Sequence, residues 1–234
     1  MLNNNNDGIK VLSNIDQIKT RSDMWIGTCK PELDYKWIYN IENNKIEIKE
    51  FTYYPQFVKL FEELLNNSVD NYIKYKNEKI SKNYRIDLTI NTEKNSIIIK
   101  NNGKPISNKF FDSNDEDLKK KYIAEIIFNT MYSSSNYDDS YNNTNSVNGL
   151  GAKLTNIFSK KMRIETRDTN SKLVLGYKNF ELVKRELELI KNGKDTDSYT
   201  EISYIIDFDL AKINIDDFSI DNYNYIIRRC IDVS

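Results

Sequence analysis

The sequence predicts an α+β fold, and three observations carry that expectation. A long 3.6-residue apolar period opens at Pro55, strand-like segments face each other across short polar turns at Asn43-Asn44 and 93–95, and a run of strands follows residue 162. Helices and runs of strands in separate stretches of chain, rather than strict strand-helix alternation, are the pattern of an α+β domain.

Taken in order, residues 1–8 are Asn-rich and are expected to form a flexible arm. Ser13, three residues before Asp16, starts a first helix that continues toward Arg21. Residues 37–51 alternate apolar and polar residues around Asn43-Asn44 and predict a hairpin. From Pro55, the residues Phe57, Phe61, Leu64, Leu65, Ser68 and Tyr72 recur every three or four positions, with proline in the first turn where its missing N–H costs nothing. Strands are expected at 85–91 and 96–100, the second running into Asn101-Asn102-Gly103, and a second long helix at 117–132. A polar stretch, residues 133–153, then leads into a helix at 151–159; polar loops of that length inside a domain are functional or disordered. Strands at 162–166, 173–178, 180–190 and 198–208 and a last helix at 220–231 complete the reading.

Composition limits what such a domain can do. The 234 residues suffice for one ample domain. With 34 basic and 35 acidic residues there is no global field to draw in nucleic acid, so any DNA contact must be local. Cys29 and Cys230 lack metal or disulfide spacing and read as reduced thiols of an intracellular, soluble protein. No stretch approaches a membrane span, so no membrane partner is expected. Because the chain contains no histidine, a general base must be a carboxylate, Lys, Tyr or Cys, and a metal would be held by oxygen. Chemistry on phosphate esters with Mg²⁺ fits those donors.

Three elements carry candidate chemistry. Glu63, Asn67 and Asn71 are spaced i, i+4, i+8 and share one face of the Pro55 helix. Such a stripe is often only a solvated face, but two amides among apolar neighbours are poor surface choices, and a carboxylate followed by an amide oxygen is what activating a water beside Mg²⁺ requires. Asn101-Asn102-Gly103 ends a strand, where an amide can be aimed into a cavity; taken alone it would be an ordinary turn. Asn148-Gly149-Leu150-Gly151-Ala152-Lys153 places two glycines before a helix, where bare backbone can approach an anion and Lys153 adds a charge; taken alone it would be a helix cap.

ExxxNxxxN, then NNG, then a polar stretch closing on GxGxK, resembles the N-box and glycine-box plan of the GHKL ATPases. Within that superfamily the strings RSDMWIGT (21–28), FEELLNNSVDN (61–71), SSNYDD (134–139) and NGLGAKLTNIFS (148–159) resemble type IIA DNA topoisomerases. The third and fourth are similar to eukaryotic enzymes, while IKVLSNIDQIKTRSDMWIGT and FVKLFEELLNNSVDN look closer to the large subunit of T-even-type phage enzymes. The resemblance spans Ile9 to Asp232 and implies a two-layer GHKL (Bergerat) α/β sandwich, with a mixed, largely antiparallel sheet under helices, filling residues 9–234. It implies ATP and Mg²⁺ as ligands. Glu63 would be the general base, Asn67 the Mg²⁺ ligand, and Asn71 a support of the phosphate site. Asn101 would contact the adenine amino group, Ser134, Ser135 and Asn136 ribose and phosphates, and Asn148, Gly149, Leu150, Gly151, Ala152 and Lys153 would wrap the triphosphate, Lys153 also serving catalysis.

The same resemblance implies a homodimer closing through an N-terminal gate and double-stranded DNA as partner of the full-length enzyme, with cleavage on the same chain or on a separate subunit. The transducer lysine and the cleavage tyrosine of the family are expected outside these residues. The compartment would be a host cytoplasm for a virus, which the Asn-, Lys- and Ile-rich composition favours, or the nucleus for a eukaryote. One departure stands out: Pro105 occupies the second glycine position of the family's NNGKGIP pattern, which removes an amide beside the adenine site. The competing expectations are another GHKL ATPase, of mismatch-repair or chaperone type, and a hydrolysis-deficient interaction module.

Overall fold

The computed structural model describes residues 11–78, 83–131 and 150–234. The arm at 1–8 lies outside them. Helix α1 (Asn14–Thr20) starts as expected: the Ser13 hydroxyl accepts from Asp16 N at 3.1 Å and donates to the Asp16 carboxylate at 2.7 Å. A one-turn helix, α2 (Asp23–Ile26), follows and ends at Gly27, whose φ of 80° suits a residue without Cβ.

Strands β1 (Glu32–Asn40) and β2 (Lys45–Tyr53) form the hairpin, longer by five residues at its start than alternation alone predicted, with Asn44 in the left-handed region at the turn. Its inner face, with Ile38 and Phe51 buried, packs toward the last helix, and Lys49 reaches Asp221 there at 2.9 Å. Its outer face leaves Leu33, Tyr35, Trp37 and Ile48 more than half exposed.

Helix α3 (Pro55–Tyr75) buries Phe57, Leu60, Phe61, Leu64 and Leu65. Beneath it lies a six-stranded sheet of β3 (Ile86–Asn91), β4 (Ser96–Asn101), β5 (Ser159–Arg167), β6 (Ser171–Lys178), β7 (Glu181–Leu189) and β8 (Tyr199–Ile206), in the order β3-β4-β8-β5-β6-β7. Every pairing among the described strands is antiparallel, the far end of the mixed, largely antiparallel expectation. Alternation sets the two faces. Ile97, Ile99, Ile164, Leu173, Leu175, Ile202 and Tyr204 join the helices in the core, each apolar side chain contributing about 1.5–3 kcal/mol when fully buried. The opposite face is polar, with Lys100 on Glu201 at 3.2 Å and over the Tyr199 ring at 3.9 Å. This is the two-layer sandwich that the sequence predicted.

The second long helix is corrected. Only α4 (Ile123–Asn129) is helical, because residues just before it pair with the chain at 109–111: Phe111 N donates to Lys121 O at 2.8 Å, Ile123 N to Lys109 O at 3.0 Å, and Phe110 stacks on Tyr122 at 4.4 Å. A backbone held in a β-bridge cannot continue a helix upstream. Helices α5 (Gly151–Ile157) and α6 (Ile220–Asp232) follow the expectation within two residues. No helix among the described residues is long and apolar enough to cross a membrane.

Candidate functional site

The polar face of α3 meets two different structures along its length. Glu63, one turn after Lys59 and paired with it at 2.5 Å, faces the start of α5. A Cβ on Gly151 would lie 2.7 Å from Glu63 Cδ and collide with the carboxylate oxygen, so glycine is required for this approach. Two side chains of α5 set its position. The buried Thr155 hydroxyl donates to Leu60 O of α3 at 3.0 Å, and the buried Asn156 amide donates to Phe128 O of α4 at 3.1 Å. Lys153 and Ala152 are buried in the same turn and Leu150 half-buried; burial pushes the Lys153 ammonium down to about 8.

Farther along α3 the stripe meets the loop after β4. Asn101 is buried, donates to Ser68 Oγ at 3.3 Å and accepts from Gly103 N at 3.3 Å, while Ser68 Oγ donates to Leu64 O. Its neighbour Asn102 turns the other way, accepting from Arg85 N at 2.7 Å and donating to Asn83 O at 2.8 Å, so it fastens the entry to β3. Asn71 Nδ2 donates to Lys104 O at 2.9 Å. Gly103 is bare for a reason like that at Gly151: a Cβ would strike Asn71 Oδ1 and the Tyr84 ring, whose hydroxyl donates to Ser68 O. Beyond Pro105, Ile106 N donates to Thr200 Oγ1 at 3.3 Å and Ile106 O accepts from Thr166 at 2.7 Å. Thr200 is the cross-strand partner of Asn101.

The fold therefore gathers Glu63, Asn67 and Asn71 on α3, sets Gly151 opposite Glu63 with Leu150, Ala152 and Lys153 in the same turn of chain, and brings Asn101 to the Ser68 turn. Ser134, Ser135, Asn136, Asn148 and Gly149 lie outside the described residues. Among the described residues no three acidic, Cys or His side chains cluster as a metal site, and both cysteines are free. Tyr84, Thr166 and Thr200 belong to the same architecture and carried no motif, while Thr155 lay inside the 148–159 string with no role assigned to it. A signal existed for the strand threonines: each takes a core-facing position in an apolar alternation, Thr166 with Ile164 and Thr200 with Ile202, where a hydroxyl must find a partner.

No protein-family model matches the chain. Individual proteins do. It is 36% identical over 225 residues to DNA topoisomerase 2 top-2 of Caenorhabditis elegans and 32% identical over 234 residues to DNA topoisomerase 2 of Saccharomyces cerevisiae, covering 95% and 97% of this chain but only 14% and 15% of those proteins. The solved ATPase region of Saccharomyces cerevisiae topoisomerase II superposes with a TM-score of 0.83 at 31% identity, over 97% of this chain and 57% of that one. The strings at 21–28 and 61–71 thus sit in a chain that aligns almost throughout with one kind of protein, and the chain belongs to the type II DNA topoisomerase family, in the segment that forms its ATPase region.

Proposed function

We propose that residues 9–234 form one domain that binds ATP with Mg²⁺ and hydrolyses it, and that in the full-length protein this turnover drives closure of a dimer gate while one DNA duplex passes through another. The observation that carries the reading is the meeting of the Glu63 carboxylate with bare backbone at Gly151, one helical turn from Asn67 and beside Lys153. Phosphoryl transfer needs positioning and charge neutralisation more than covalent help, so a carboxylate, amides and one ammonium suffice without histidine.

In this reading Glu63 takes a proton from the water that attacks the γ-phosphorus as the bond to the β-phosphate oxygen breaks, and Lys59 at 2.5 Å orients the carboxylate. The Asn67 amide oxygen fits an ion that takes one or two protein ligands and completes its shell with phosphates and water; when bound, Mg²⁺ neutralises charge on those phosphates. Lys153 and the backbone at 148–152 hold the triphosphate. Asn101 Oδ1 accepts from Gly103 N and keeps a second lone pair for the adenine amino group. Ser134, Ser135 and Asn136 serve ribose and phosphates.

Dimer closure finds support in the outer face of the hairpin, since Leu33, Tyr35, Trp37 and Ile48 form an apolar stripe of the kind that marks an interaction surface. A second copy of the chain is the partner proposed, together with the arm at 1–8. Cleavage of DNA belongs to other regions or another subunit, in the nucleus of a eukaryote or in a host cytoplasm for a virus. The decisive test is Glu63→Gln. Mg-ATP affinity should stay within several-fold while hydrolysis slows by roughly 10²–10⁴, the usual worth of a positioned base. Turnover that survives the change removes Glu63 from the mechanism and leaves the polar stripe a solvated face.

A further inference from the structure

Asn71 stands on the same stripe as Glu63 and Asn67, and the stripe alone assigns it to the phosphates. Its contacts do not. Nδ2 donates to Lys104 O at 2.9 Å, and Oδ1 is buried against Gly103, at a place only a glycine leaves open. The orientation of the amide is decided, because a flipped group would set two carbonyl oxygens against each other at 2.9 Å. The amide is thus bonded to the loop at 103–104 through Nδ2 and packed against it through Oδ1, which has no hydrogen-bond partner among the described residues.

That loop follows Asn101 directly and is fastened again past Pro105, through Ile106 N to Thr200 and Ile106 O to Thr166. Pro105 contributes no N–H, so between Gly103 and Ile106 the hydrogen bond to Lys104 O is the tie that α3 makes to the backbone, beside the contact of the Lys104 ammonium with the Tyr75 ring at 4.3 Å. Asn101 sits on the same helix through Ser68, three residues before Asn71. From this geometry we infer that Asn71 is a positioning residue for base recognition: it holds the loop that fixes Asn101 and so sets the preference for adenine, rather than touching phosphate. The inference rests on the proposed reading of Asn101 as the group that meets adenine.

The test compares affinities of Mg-ATP, Mg-ADP and Mg-GTP by calorimetry for the wild-type chain, Asn71→Leu, Asn71→Ala and Asn101→Ala. Both Asn71 variants should weaken ATP and ADP by one common factor, about three- to tenfold for a single lost hydrogen bond, and leave GTP unmoved, so that discrimination shrinks by that factor. A loss greater for ATP than for ADP, a parallel fall for GTP, or unchanged discrimination overturns the inference. Leucine keeps the volume and alanine relieves crowding at Gly103, so one of the two reports even where the other does not fold. Asn101→Ala separates the two levels of the argument. If it leaves the ATP to GTP ratio intact, the reading of Asn101 fails; if it erodes the ratio while the Asn71 variants do not, only the role of Asn71 fails.

Discussion

The loop after β4 is tied at Asn101, Asn102, Gly103, Lys104 and Ile106, through side chains of α3, β5 and β8 and the backbone before β3, whereas α5 begins at Gly151 after an N-cap residue, Leu150, that makes no side-chain cap. The bolts of α5, Thr155 and Asn156, sit at its far end. One wall of the site is thus fixed before a ligand arrives, and the other is anchored at its far end and, among the described residues, left open toward Glu63 by the missing side chain of Gly151. Fixed polar groups suit discrimination between bases, because they lose nothing by reorganising. A first turn whose N-cap residue supplies no side-chain cap suits anions that themselves satisfy its amides.

The contrast breaks most visibly at Gly151. Gly151→Val drives a branched side chain into the Glu63 carboxylate, and the folded variant is expected to bind no ATP in a titration that saturates wild type. Unchanged affinity would show that the open wall is only a helix start. Lys153 sharpens the comparison through pH. Burial holds it at about 8 against an ordinary 10.5, so the folded chain carries fewer protons than the unfolded chain between those values. The penalty for its buried charge is present in full below pH 8 and is relieved as pH rises toward 10.5, so this group's contribution to stability improves across that window. Nucleotide affinity should move the opposite way, because polyphosphate favours the charged form and binding then takes up a proton. Affinity is expected to fall by up to about tenfold per pH unit above pH 8, and Lys153→Met to bind more weakly at pH 7 with that dependence flattened. A wild-type profile that is flat from pH 7.5 to 9.5 would remove Lys153 from the open wall.

How far the sequence reaches follows the same division. Apolar period and proline placement located α3, and alternation located the hairpin, short by five residues at its start, and all six strands of the sheet to within three residues at either end. The meeting of Glu63 with Gly151 was foreshadowed only by the order of the stripe, the Asn101 turn and the glycine pair taken together, since each alone reads as a solvated face, a turn or a helix cap. The start of α4 was not, since its limit is a pairing with residues 109–111 that no local pattern announces. Nor was the duty of Asn71, because helical spacing gives a shared face but not what that face meets one turn farther on. Thr166 and Thr200 escaped since threonine is an ordinary strand residue, and only its core-facing position marks it.

The smallest expected effect lies at Pro105. With Lys104 O and Ile106 already held, Pro105→Gly should leave ATP affinity unchanged or slightly higher, and cost roughly 0.4–1 kcal/mol of stability from added freedom in the unfolded chain. Calorimetry and a denaturant titration on one preparation read both. A large fall in affinity would mean that the proline ring itself shapes the fixed wall.

The insertion of β8 between β4 and β5 has a bearing on how the domain unfolds. The bond from Ile106 to Thr200 joins residues 94 apart, so the wall proposed to meet the base exists only once the late strand has docked beside the early one. Contacts of such sequence separation are slow to form, because loop closure must precede any reward. A partly folded chain lacking β8 would keep the whole α3 stripe and still have no complete pocket. In the proposed reading ATP therefore recognises only the finished domain, and at 100 times its dissociation constant it should add about 2.7 kcal/mol against global unfolding rather than merely quieting a local segment.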